Sequence, residues 1–418
     1  MQPSCNGRLL RFGETSMKTK IAFALAASLL TTAAWADDKV VKIGNMDDLS
    51  SLYADLGGHG STIAAQMAVE DSGLTKKGWT IDVVEADHQN KPDIAANIAR
   101  KWFDEDKVDL IVSLDNSGTA LAVSQVGKEK NRIVIPSGAA TSELTNKACN
   151  ANTIHWAYDT YALANGTGRT MVKSGGDTWF FITADYAFGH TLQADTTAFV
   201  EANGGKILGS VNVPLNTPDF SSFLLQAQSS KAKIVALANA GGDTTNSIKQ
   251  AHEFGLTSGG QSLASLLLFI SDVHALGLDV AQGLTLTSTF YWDLNDGTRA
   301  FSKRFAERMK NHAMPTMTQA GVYSSVLHYL KALDALGGNP HDGAKVVAKM
   351  KEMPTDDPLF GKGSIREDGR KIHPAYVFQV KTPAESKYPW DYYKLVATIP
   401  GDEAFRPLAK SACPLVKK

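Results

Sequence analysis

The chain is poor in cysteine, with three in 418 residues, and Cys5 stands inside a segment that reads as a leader. The other two, Cys149 and Cys413, form no CxxC pair and no mixed Cys/His spacing, so no metal site is expected. An excess of charge is also missing: 42 basic residues face 43 acidic ones. That balance offers no basic stripe to nucleic acid or anionic lipid. Beyond residue 36 no window approaches the 18 apolar residues of a membrane span. A G-x-G-x-x-G turn, a Walker loop, a G-x-S-x-G elbow and an H-E-x-x-H helix are all absent. The ten histidines are scattered. Enzymatic turnover is therefore the weaker reading, and no cofactor is expected.

What is present begins with an export signal. Residues 17–36 read MKTKIAFALAASLLTTAAWA, with Lys18 and Lys20 ahead of the apolar run Ile21–Leu30. That run is too short to cross a bilayer, and Ala34-Trp35-Ala36 fits the small-x-small cleavage pattern. A buried N-terminal helix is the plainer alternative. The polar stretch 1–16 fits no signal peptide, so Met17 reads as the true start, with cleavage after Ala36. No cysteine follows the cleavage site to carry a lipid anchor. Loss of residues 1–36 removes four basic residues and one acid, leaving 382 residues with a net charge of −4. That length suggests two domains. In an oxidising compartment Cys149 and Cys413 suggest one disulfide, and two unpaired buried thiols are the alternative.

After the leader, apolar runs alternate with amphipathic helical stretches. Strands are expected at Val40–Gly44, "WTIDVVEAD", "VDLIVSLD" and "NRIVIPSG", with helices at Gly60–Asp71, "KPDIAANIARKWFDED" and Gly118–Lys128. The pattern restarts at "DTWFFITADYAFG" and runs through "KILGSVNVP", "FSSFLLQAQSS", "KIVALANA" and "DTTNSIKQAHEFG". The strand "GLTLTSTFYW" and the helices Arg299–Lys310 and Thr318–Leu336 follow. Such alternation predicts an α/β protein with two doubly wound parallel-sheet lobes. Ligands of such sheets lie beyond the carboxyl ends of the strands. The first of those ends, "DLSSLYADLGGHG", resembles a phosphate-binding turn but lacks the glycine spacing of a dinucleotide site.

This loop with its helix "STIAAQMAVED", the segment "IPSGAATSELT" and the turn "DYAFG" together resemble the type I periplasmic solute-binding proteins of ABC transporters. Within that family the likeness is to the branched-chain amino-acid and amide group, and it covers Lys39–Pro414. The resemblance implies two lobes joined by a three-strand hinge that closes on a small ligand. It assigns 37–156 with 287–372 to lobe one and 157–286 with 373–396 to lobe two. The tail 397–418 returns to lobe one, which brings Cys413 towards Cys149. Periplasmic residence and delivery to ABC permease subunits in the inner membrane are implied with it. A ligand-sensing receptor module is a further alternative; a sensor usually carries a membrane segment or an output domain, and this sequence reads as carrying neither.

The resemblance also places ligand residues. A ligand carboxylate would meet Asn116, Ser117, Ala139 and Thr141, where helix N-termini present free N–H donors. Helix capping by Asn116 and Ser117 is an equal reading, and the two roles can coexist. Gly57–Gly60 would be a loop that brings Tyr53 to the cleft. Tyr158, at the first crossing, faces either the cleft or the hinge. Tyr186, Phe188, Asn239 and Asp243 would come from lobe two, Asp243 also being a candidate helix cap. Amino-acid binders of this group carry an acid near residues 263–270, where this chain reads "LASLLLFIS". An ammonium without a counter-charge is costly to desolvate. Tyr291 and Trp292, with Phe290, add rings near the same region, core packing being the plainer role for at least one of them. The expected ligand is an aromatic or otherwise apolar carboxylate, with a branched-chain amino acid or an amide as the alternative.

Overall fold

The computed structural model describes residues 39–417. The leader, its cleavage after Ala36 and Cys5 lie outside the described residues. The chain starts with the strand β1 (Val40–Asp47), whose residues from Ile43 onwards are all buried, and the helix α1 (Gly58–Ser72). Next come β2 (Thr80–Asp87), α2 (Pro92–Asp104), β3 (Leu110–Ser113), α3 (Ser117–Lys130) and β4 (Ile133–Pro136). Proline at its start favours α2, because a first-turn N–H has no helical partner to lose. The helix buries Ala95, Ala99, Trp102 and Phe103 on one face. Trp102 lies flat on Gly44 of β1, where any Cβ would overlap the indole ring. The four strands form a parallel sheet in the order β2-β1-β3-β4.

The second lobe repeats that order. Its strands β5 (Thr178–Ala184), β6 (Lys206–Val213), β7 (Ile234–Ala238) and β8 (Ser262–Ser265) pair in parallel as β6-β5-β7-β8. The helices α4 (Ala187–Ala202), α5 (Ser221–Ser230), α6 (Gly241–Glu253) and the short α7 (Ile270–Leu276) connect and cover them. The start of α4 passes so close to the end of β5 that a side chain at Gly189 would run into the Ala184 backbone.

The remaining chain joins the lobes. The strand β9 (Thr285–Ser288) precedes α8 (Asp296–Arg308), the buried α9 (Met317–Leu336) and α10 (Gly343–Glu352). A small antiparallel sheet of β10 (Thr355–Asp357), β11 (Gly361–Ile365) and β12 (Lys371–Ile372) follows. Last come β13 (Ala375–Val380) and β14 (Tyr393–Ile399), which form a second antiparallel sheet with β9, in the order β14-β13-β9. The crossing near Trp156 is fully buried, and its indole N–H donates to Ser324 Oγ of α9 at 2.8 Å. Cys149 and Cys413 form a disulfide with Cα atoms 5.6 Å apart. Among the described residues no helix is long and apolar enough to cross a membrane.

Three sequence expectations need correction. Gly57–Gly60 is not an open loop, because α1 already starts at Gly58. "GLTLTSTFYW" is strand only as far as Ser288, whose hydroxyl bonds the backbone of Phe290 and turns the chain out of the ladder. Arg299–Lys310 starts three residues earlier, where Asn295 and Thr298 form a reciprocal capping box.

Candidate functional site

In each parallel sheet the strand order reverses direction at the first strand, which opens a crevice at the carboxyl ends of β1 and β3, and of β5 and β7. The two crevices face each other. On the first side three buried acids fix the loops. Asp48 accepts hydrogen bonds from the Ser50, Ser51 and Tyr53 amides at 3.2, 2.9 and 2.9 Å, and from Asn90 Nδ2 at 2.6 Å. Burial alone would raise its pKa, but these donors and the Ser51 hydroxyl outweigh it and hold Asp48 below the usual carboxylate range. Asp115 accepts the Asp48 amide on both oxygens, and its own amide donates to Asp47 Oδ1 at 3.1 Å. Burial, followed by the charge of a neighbouring acid, pushes Asp47 and Asp115 up.

His88 completes this cluster, its Nε2 lying 3.0 Å from Asp115 Oδ1. One donor atom each from Asp47, His88 and Asp115 lies within 4.8 Å of the others, a spacing that a metal ion could bridge. The imidazole chemistry argues otherwise. Nδ1 of His88 accepts the Asn90 amide at 3.1 Å, so Nε2 carries the ring proton and turns it towards Asp115. The contact is close but bent, and so falls short of a straight hydrogen bond. A metal-bound imidazole needs the reverse, a bare Nε2 and a proton on Nδ1. The trio fastens loops. Sequence reasoning missed it, and the only signal was "ADHQN" at the end of β2.

Between the crevices lies a narrow, half-open gap of ≈ 10 Å³, room for about one water molecule. Leu56, Ser117 and Ala140 line it from the first lobe, Tyr158 from the crossing, and Tyr186 and Phe188 from the second lobe. Asp115, Gly138, Ala240 and Leu267 complete the wall, which holds no lysine or arginine. Ser117 stands at the first position of α3. Its oxygen accepts the amides of Ala140 and Thr141 at 3.3 and 3.1 Å. Both of those donors are thus spent on Ser117, whose own hydroxyl proton remains to give. Across the gap Tyr53 Oη and Tyr186 Oη are 2.7 Å apart, which leaves one hydroxyl proton of the pair available. Thr141 and Thr191 hydroxyls also bridge the lobes, at 3.1 Å.

Other expected residues have different partners. Asn116 is a helix cap, its side chain accepting the Gly118 and Thr119 amides. Ala139 gives its carbonyl to His155 Nε2 at 2.7 Å, and Tyr158 donates its hydroxyl to the Gly138 carbonyl. Burial, with the nearby Arg370 charge, keeps the His155 pKa well below its ordinary value. Asn239 turns towards the following helix α6, bonding Thr244 and Ser247. Asp243 is not the cap of α6. It accepts the Asn216 and Thr217 amides at 3.0 Å each and fastens the loop after β6, and burial raises its pKa to about 6. Tyr291 and Trp292 lie outside this gap. Their ring O–H and N–H donate to the Trp390 carbonyl at 3.2 and 2.9 Å, holding that residue in a left-handed conformation with φ +68°.

The mouth of the crevice carries acids from both lobes, Asp55 and Asp272. Asp272 accepts the Phe269 amide at 2.8 Å, and burial, with Asp55 nearby, raises its pKa to about 7. A carboxyl raised in this way supports folding in full below its unfolded pKa, and that support is lost as pH rises through about 7. Asp272→Asn keeps the acceptor for Phe269 and cannot ionise. Its melting midpoint should gain on that of the parent between pH 5 and 8. A constant difference across that range would assign the titration elsewhere.

Solved structures that resemble this chain include the following three. A periplasmic binding protein from Burkholderia mallei is 54% identical, with a TM-score of 0.88, covering 91% of this chain and 100% of its own. A branched-chain amino-acid ABC transporter periplasmic ligand-binding protein from Burkholderia xenovorans is 40% identical, with a TM-score of 0.80, over 90% of this chain and 100% of that one. A solute-binding protein of an ABC transporter from Rhodopseudomonas palustris, in complex with benzoate, shares the fold at 20% identity, with a TM-score of 0.77, over 90% of this chain and 100% of that one. The family model described as "Periplasmic binding protein" matches residues 40–387. The chain belongs to the periplasmic binding protein family, whose members bind solutes and are not enzymes.

Proposed function

We propose that this ABC-type periplasmic binding protein captures an aromatic monocarboxylate between its lobes and presents it to membrane permease subunits. One observation carries the reading. The gap between the lobes combines three aromatic side chains with a serine hydroxyl at a helix N-terminus, no free carboxylate faces it, and parting of the lobes would widen it for a ligand. The Ser117 proton, a tyrosine proton from the Tyr53–Tyr186 pair and the positive end of α3 supply hydrogen bonds for an anion without a cationic side chain. Tyr158, Tyr186 and Phe188 offer ring faces and edges to an aryl group, each pairing adding about 0.5–1.5 kcal/mol beyond area burial.

A branched-chain amino acid is the second reading, favoured by the name of the 40% identical relative and by Leu56 and Leu267 in the wall. Its ammonium would need a counter-charge. The sole acid of the wall, Asp115, already has its oxygens on the Asp48 amide and against His88. On either reading ligand bridges both lobes and binds the closed state better, so the hinge closes on capture. Export removes residues 1–36, and the mature N-terminus is Asp37.

A thermal-shift panel tests the ligand class: leucine, valine, phenylalanine, benzoate, hydroxybenzoates and phenylpropanoid acids. A true ligand at a hundred times its Kd should stabilise by about 2.7 kcal/mol. Aryl acids should shift the melt and aliphatic amino acids should not. The opposite result sinks the aromatic reading and places an ammonium partner in the crevice.

A further inference from the structure

The tail after β14 runs back from the second lobe to the first and makes a fourth connection beside the three crossing strands. It is moored on the first lobe. Besides the disulfide to Cys149, Ser411 Oγ donates to the Thr145 carbonyl at 3.2 Å, and the Ala412 amide donates to Asn146 Oδ1 at 2.6 Å. Midway, Phe405 is fully buried under the Arg370 guanidinium, 4.3 Å from ring centre to Cζ. The next residue reaches across the gap. Arg406 donates to Asp195 Oδ1 of α4 at 2.8 Å and to Ser142 Oγ of the first lobe at 3.0 Å. Its guanidinium also lies over the Tyr161 ring, 5.1 Å from the centroid. Asp195 accepts on its other oxygen from Ser142 at 2.8 Å and from Thr160 at 2.7 Å. A single carboxylate of the second lobe thus gathers donors from the first lobe, the crossing and the tail.

We infer that Arg406 is a positioning residue for lobe closure: the disulfide-moored tail is a strap, and the Arg406–Asp195 pair is its clasp. The pair is partly buried, and charge-assisted hydrogen bonds in such settings are about twice as strong as neutral ones. The inference rests on the hinge motion in the proposed function but not on the identity of the solute, so it can be tested without ligand. Spin labels at Asp93→Cys and Ser222→Cys, exposed first-turn sites of α2 and α5, would report the interlobe distance by double electron–electron resonance. The native cysteines, being bonded to each other, would stay unlabelled.

In the ligand-free protein, Arg406→Gln and Asp195→Asn should each move the distribution to longer distances, with the open-to-closed ratio raised about tenfold. The double variant should open no further than either single one, and Arg406→Lys should recover part of the effect. Should Arg406→Gln fail to fold, Asp195→Asn carries the same comparison. Distributions that superimpose on the parent's, whether or not the melting midpoint falls, would overturn the clasp and leave Arg406 a structural residue.

Discussion

Arg370→Met should cost about 3–5 kcal/mol of stability, read as a lower midpoint in urea unfolding at pH 7. The guanidinium is fully buried at the centre of the hinge. It donates to the carbonyls of Tyr158 and Lys371 at 3.0 Å each and to that of Trp156. Among the described residues Asp159, at 3.7 Å, is the acid paired with the guanidinium. Burial lowers its pKa to about 10, so it remains charged at neutral pH. Methionine matches the stem but supplies no donor, so three buried carbonyls and Asp159 lose their partner together. Arg370→Lys should recover only part of the loss, because one ammonium cannot span the positions the planar fork reaches. A cost below 1 kcal/mol for Arg370→Met would mean that water enters the hinge and replaces the bonds.

The second large effect concerns the disulfide. Replacing Cys149 and Cys413 by serine should cost up to about 5 kcal/mol on the chain-entropy model, and 2–5 kcal/mol in practice. The loop it closes has a sequence separation of 264, near the upper end of what loop-closure entropy can return. Both cysteines are nearly inaccessible, so alkylation of the native protein should leave its intact mass unchanged. Two modified thiols in folded protein, or a double variant as stable as the parent, would show that the tail is held by its other contacts alone.

The fold was legible in the sequence because buried parallel strands read as unbroken apolar runs, such as "LIVS", "IVIP" and "IVALA". The cavity was legible where it depends on strand ends. Ser117, Tyr186 and Phe188 could be located because such sheets place ligands beyond their carboxyl edges. Partner choice was not legible. Asn116 and Asn239 look equally suited to a ligand, yet their side chains are satisfied by neighbours a few residues away. Tyr291 and Trp292 continue the alternation of β9 on paper, but the ladder ends at Ser288 and the rings go to the hinge. The Asp47–His88–Asp115 cluster joins three different strand ends, and no local pattern announces such a meeting. Long-range polar pairing is set by the assembled fold.

The path of the covalent chain also decides how the molecule would bear a mechanical load. A pull on the first and last described residues would travel from residue 39 to Cys149, cross the disulfide and leave through the residues after Cys413. The whole second lobe, the hinge sheet and the helices α8 to α10 lie inside the bypassed loop. At roughly 3.5 Å per extended residue, some 900 Å of contour length would stay hidden until the sulfur link is cut. Tension could peel away only the strands and helices that precede Cys149. About two thirds of the described chain, the part between the two cysteines, is shielded from such a pull.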